Sequence, residues 1–73
     1  MIHVTAHAVD RYIERVSPVS RDEAKAAIML HEKSLQAAAD FAGKANVTVH
    51  LATGVRFVMK GGHVLTTLGK AGW

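Results

Sequence analysis

The spacing of hydrophobic and polar positions changes once along the chain, and the change divides it. From Ala6 to Val16 the apolar residues recur at helical spacing. At about 100° per residue, Ala8, Val9, Tyr12, Ile13 and Val16 fall on one side, and His7, Asp10, Arg11, Glu14 and Arg15 on the other. Thr5 stands where an N-cap is needed. Ser17-Pro18-Val19 ends this helix, because proline disfavours helical geometry in the residue before it. Ser20-Arg21-Asp22-Glu23 has the form of a capping box, with Ser20 as N-cap and Glu23 three residues on. A second helix is predicted from Arg21 to about Phe41. Its apolar face holds Ala24, Ala27, Ile28, Leu35, Ala38, Ala39 and Ala42, and its wet face Lys25, Glu32, Lys33, Gln36 and Asp40. Gly43 suits the position just past its end.

After Gly43 the period becomes two. Val47 to Leu51 and Val55 to Lys60 alternate as half-buried strands do, separated by a tight turn at Thr53-Gly54. Gly61-Gly62 suits a two-residue primed turn, and His63 to Leu68 forms a further strand. Ile2 to Val4 reads as a short strand, because β-branched residues flank His3. Gly69 to Trp73 is a tail whose Trp is either docked on the core or held for a partner. The expected fold is α+β: a short N-terminal strand, then two helices packed on a three-stranded antiparallel meander. The helices would cover the face carrying Val47, Val49, Leu51, Val55, Phe57 and Met59. Thr48, His50, Arg56, Val58 and Lys60 would lie on the other face, open to solvent or a ligand.

Composition narrows the class. A chain of 73 residues is expected to form a single domain over residues 1–73, with a thin core that buries only about 60% of its unfolded surface. There is no Cys, so disulfide frameworks, zinc ribbons and thiol nucleophiles are excluded, and the cytoplasm is the expected compartment. The longest uncharged stretch, Ala45 to Val55, is interrupted by polar residues, and no leader or membrane span is predicted. The net charge of +3 permits a polyanionic partner without demanding one. Five His in so short a chain fit acid–base chemistry on a phosphodiester; the alternative is that they are packing and surface residues.

Two constellations can carry such chemistry. His7, Arg11 and Arg15 lie four residues apart, so they form a ridge on the first helix. Guanidinium groups at this spacing can grip phosphates, and a neighbouring imidazole can exchange a proton with a ribose hydroxyl. The alternative is a solvated helix face. The second set is His50, Arg56 and Lys60 on the open sheet face, with Thr66 or Thr67 offering a hydroxyl. A metal-independent ribonuclease uses such a surface to position the 2′-hydroxyl and stabilise charge on the phosphorane. The alternative here is ordinary outward-facing polar residues. His31 falls on the apolar face of the second helix and reads as a hydrogen-bonded core residue. No His/Glu set has zinc-site spacing, so no metal or other cofactor is expected. Tyr12, Phe41, Phe57 and Trp73 are too few to make a stacking platform for single strands.

The run from His7 to Arg15 resembles the H-A-x-x-R-x-x-E-R opening of a family of small, mostly uncharacterised bacterial and phage proteins. A Ser-x-x-Glu helix start follows in that family, matched by Ser20 to Glu23, and so does a late strand matched by Gly61 to Thr66. The family is grouped with RelE/ParE-like toxins, beside barnase, EndoU and the tRNA-cleaving colicins. The resemblance implies an RNase-like fold and RNA cleavage without metal, with His7, Arg11, Arg15 and Thr66 at the matching positions. RelE-like toxins often carry extra basic residues near the C-terminus, whereas the tail here offers only Lys70.

Two functions are therefore expected. In the first, a small ribonuclease or toxin uses His7 or His50 as acid or base, with Arg11, Arg15 and Arg56 stabilising phosphate charge. In the second, a non-catalytic interaction protein, such as a phage-encoded inhibitor or a small nucleic-acid binder, reuses the fold. The expected partners are RNA and a protein, either an antitoxin or an inhibited target. The first or last strand is expected at an exposed edge, which together with the thin core predicts a homodimer.

Overall fold

A computed structural model describes residues 2–69; the readings placed on Lys70 and Trp73 lie outside them. The elements run β1 (His3–Val4), α1 (Ala6–Arg15), α2 (Arg21–Met29), α3 (Glu32–Ala42), β2 (Asn46–His50), β3 (Arg56–Lys60) and β4 (His63–Leu68). Local signals account for most of the boundaries. The Thr5 hydroxyl oxygen accepts from the Ala8 N–H at 3.2 Å. The same hydroxyl donates to the Val64 carbonyl at 2.7 Å, tying the start of α1 to β4. The Ser20 hydroxyl accepts from the Glu23 N–H at 3.1 Å and donates to the Glu23 carboxylate at 2.9 Å, so the box closes side chain to side chain.

Gly43 ends α3 with φ +62° and ψ −119°, while its N–H donates to the Ala39 carbonyl. Nothing stands within 4 Å of where its Cβ would be, so Gly43→Ala isolates backbone strain. The substitution is expected to cost about 1–3 kcal/mol, read as a lowered urea midpoint.

The helical region departs from expectation. Two helices before the sheet were predicted; there are three, because the segment from Arg21 to Phe41 breaks at Leu30 and His31. There the His31 N–H donates to the Ile28 carbonyl, three residues back, and His31 takes φ −100° and ψ 18°. Ala24, Ile28, Leu35 and Ala39 are all buried and stay in phase across the break. The turn lets α2 pack against α1 and β1 while α3 packs against β2. Those two strands are the opposite edges of the sheet, so the chain must bend across the core face between them.

The sheet also differs. The predicted meander is present as β2-β3-β4, antiparallel throughout, but the sheet is four-stranded and mixed. β1 pairs parallel to β4, giving the order β1-β4-β3-β2. The last strand is therefore interior, and β2 is the edge opposite β1.

All three helices cover one face. Ile28 and Leu35 from the helices meet Phe57, Met59 and Val64 from the sheet in one cluster, with Val47, Val49 and Leu51 packed half-buried against it. His31 is half-buried at the α2–α3 turn, its ring 6.2 Å from Phe57. Among the described residues no helix is long and apolar enough to cross a membrane.

A bulge decides which way β4 faces. Val58 opposes Thr66 but Met59 opposes Val64, so Leu65 is the extra residue. Simple alternation would put Val64, Thr66 and Leu68 on one face. The bulge instead turns Val64 and Thr67 into the core and leaves Thr66 and Leu68 on the open side. Thr67 is fully buried, and its hydroxyl donates to the Ala8 carbonyl of α1 at 3.0 Å. A buried hydroxyl needs such a partner.

Candidate nucleic-acid interface

Residues directly opposed on neighbouring strands share a face, with Cβ atoms about 5 Å apart. Register therefore orders the open side into rows. His50, Arg56 and Leu68 form one, and Thr48, Val58 and Thr66 the next. Asn46, Lys60, His63 and His3 cross all four strands in the last. The His3 and His63 rings lie 5.2 Å apart between centroids, inclined at 67°. Three imidazoles, one guanidinium and one ammonium thus stand on a single sheet face.

Among the described residues that face has no counter-charge of its own. All six carboxylates, Asp10, Glu14, Asp22, Glu23, Glu32 and Asp40, lie between residues 10 and 40, in the helical part. Residues 41–73 contain none, against Lys44, Arg56, Lys60 and Lys70. This segregation could be read from the sequence, but the whole-chain balance of +3 averages it away.

Arg56 lies half-buried across the end of β4. Its Nη2 donates to the Gly69 carbonyl at 3.4 Å, and its Nε is buried without a hydrogen-bond partner. Arg15 approaches the same strand from α1, its Nη1 donating to the Thr67 carbonyl at 3.2 Å. Arg15 thus satisfies a strand carbonyl and ties the end of α1 to β4.

The rest of the α1 ridge lies elsewhere. Arg11 pairs with Glu14 at 2.6 Å and Asp10 with Arg21 at 2.6 Å, all partly exposed, so each pair contributes little to stability. His7 is exposed. α1 rests on the sheet face from which Thr67 reaches Ala8, whereas Thr66 points through the opposite face. His7 and Arg11 therefore sit on the helical side, with the sheet between them and His50, Arg56, Lys60 and Thr66. Arg15 stands at the boundary. The structure brings together the four residues of the open face and does not bring the helical imidazole to them. Two depressions among the described residues touch neither set; they lie along α3, beside Lys33 and Asp40, and at the α2–α3 turn.

The sequence reading does not place His63 and His3 on this surface. Their signal was present in the alternation of His63 with Val64 and of His3 with Val4. What was missing was the parallel β1–β4 pairing that sets them side by side. Among the described residues no three His, Asp or Glu converge as metal ligands. Chemically, the open face can hold anionic oxygens against Arg56 and Lys60, and it can offer an imidazole, His50, beside a guanidinium. The chain matches no protein-family model, no curated protein and no solved structure.

Proposed function

We propose that this protein binds the sugar–phosphate backbone of RNA on the open face of its sheet, in a RelE-like α+β fold. The observation that carries the reading is a sheet face bearing His50, Arg56, Lys60 and His63 from a half of the chain without a side-chain carboxylate, joined by His3 from β1. Phe57 points into the core, and no aromatic other than His stands in the rows of the open face. Recognition then runs through phosphates rather than stacked bases, and it is weakly sequence-selective and salt-sensitive.

Fluorescence anisotropy with labelled single-stranded RNA tests this. Two or three neutralised phosphates give a slope of log affinity against log salt of roughly −1.4 to −2.1. Absence of binding at low salt rejects the reading.

Cleavage is the second reading, and the direct opposition of His50 and Arg56 favours it. Here His50 takes the 2′-hydroxyl proton as the 2′-oxygen bonds to phosphorus, Arg56 stabilises the phosphorane, and the P–O5′ bond breaks to give a 2′,3′-cyclic phosphate and a 5′-hydroxyl that takes its proton from water. The expected outcome is RNA cleavage in EDTA that His50→Ala abolishes while RNA binding persists. Intact RNA in the presence of bound, folded protein leaves binding without chemistry.

A further inference from the structure

The outer face of α3 carries apolar groups that the monomer does not use. Phe41 is 92% exposed and Leu30 84%, the two most exposed large hydrophobic side chains among the described residues. Leu30 stands at the turn before α3, and Phe41 near its end. Between them Ser34 and Ala37 are exposed and small. The charged flank is Lys33 near one end and Asp40 near the other, both exposed. At the Leu30 end lies a depression lined by Met29, Leu30, His31, Glu32, Lys33 and Ser34.

We propose that two copies of this chain pair antiparallel through the outer faces of α3. The pattern is self-complementary about its own midpoint, as a two-fold interface requires. A two-fold axis near Leu35 and Gln36 sets Phe41 of each copy over Leu30 and the adjoining depression of the other. Ser34 and Ala37 then meet at the crossing, where small side chains let the helices approach. Lys33 of each copy comes beside Asp40 of the other. The Asp40 carboxylate takes one bond from Gln36 Nε2 at 2.9 Å and keeps further lone pairs for a lysine.

The β2 edge is the competing surface. It offers mainly backbone hydrogen bonds, and joining two β2 strands would run two cationic sheet faces into one. Pairing through α3 instead leaves both open faces outward, on opposite sides of the dimer, because α3 covers the other side of the sheet. A contact confined to one face of an eleven-residue helix is expected to bury less than the roughly 800 Å² per partner of a standard interface, so the dimer is a weak one that forms on concentration.

Sedimentation of the full chain over a wide concentration range tests the pairing. The apparent mass is expected to rise from 7.8 kDa toward twice that value. Phe41→Ser weakens association at least about tenfold, with the unfolding transition of the dilute monomer unchanged, since the ring is exposed. Lys33→Glu weakens it as well, and the exchange Lys33→Glu with Asp40→Lys restores it. A chain that stays at monomer mass to millimolar concentration overturns the proposal. So does a dimer indifferent to Phe41→Ser and to charge reversal, which would assign the contact to the β2 edge.

Discussion

Phe57→Ala is expected to remove a large share of the chain's stability at 25 °C. Phe57 is the largest fully buried side chain among the described residues, in the cluster where sheet and helices meet. Truncating a buried phenylalanine costs about 3–5 kcal/mol, because the small helical layer cannot close over the void. At about 0.05–0.15 kcal/mol per residue, a chain of 73 residues has only about 4–11 kcal/mol in total. Far-ultraviolet circular dichroism with urea titration measures the loss. A cooperative transition displaced by less than about 1.5 kcal/mol would mean that the core is not organised around Phe57. Phe41→Ser is the control: the same residue type lost from an exposed site leaves the monomer's stability unchanged.

The second large effect concerns the open face. The double substitution Arg56→Gln, Lys60→Gln is expected to lower RNA affinity at least tenfold and bring the salt slope close to zero. It removes both permanent cations that the described residues place on that face and keeps most of the side-chain bulk. Arg11→Gln, on the helical side of the sheet, is expected to leave affinity and slope unchanged. If Arg11→Gln weakens binding as much as the double substitution, the RNA path runs over α1 and not over the sheet. Circular dichroism of each variant separates loss of binding from loss of fold, because Arg56 also touches the Gly69 carbonyl.

Some parts of the architecture are carried by residues close together in the chain. Thr5, Ser20 and Gly43 mark helix ends, and each does so through its own hydroxyl or its own backbone freedom. The alternation around Val47, Phe57 and Met59 places the inward face of the meander correctly. The break at Leu30 and His31 has no such marker. Neither Gly nor Pro is present there, and the buried stripe Ala24, Ile28, Leu35 and Ala39 runs through it in phase. Periodicity reports which side of a helix is wet, not whether its axis bends. Here the bend follows from a sheet whose edge strands, β1 and β2, must be reached from one helical segment.

The candidate site divides in the same way. His50, Arg56 and Lys60 share a face because alternation within a hairpin is a local rule. Thr66 joins them through the bulge at Leu65, and no pattern in His63 to Leu68 announces it. The separation of His7 and Arg11 from that group depends on which sheet face α1 covers. The Thr67–Ala8 contact settles this across 59 positions of sequence.

The amino-acid order alone thus suffices for the element types, most of their ends, the wet and dry side of each, and the confinement of every carboxylate to the helical half. These rest on neighbours within a few residues, where backbone preference and hydrophobic period act directly. The parallel docking of β1 on β4, the bend between α2 and α3, the facing of Thr66 and Thr67, and the division of the cations between two surfaces depend on long-range packing. Each is chosen by burial and hydrogen-bond satisfaction summed over the whole core, a sum that no short window of residues contains.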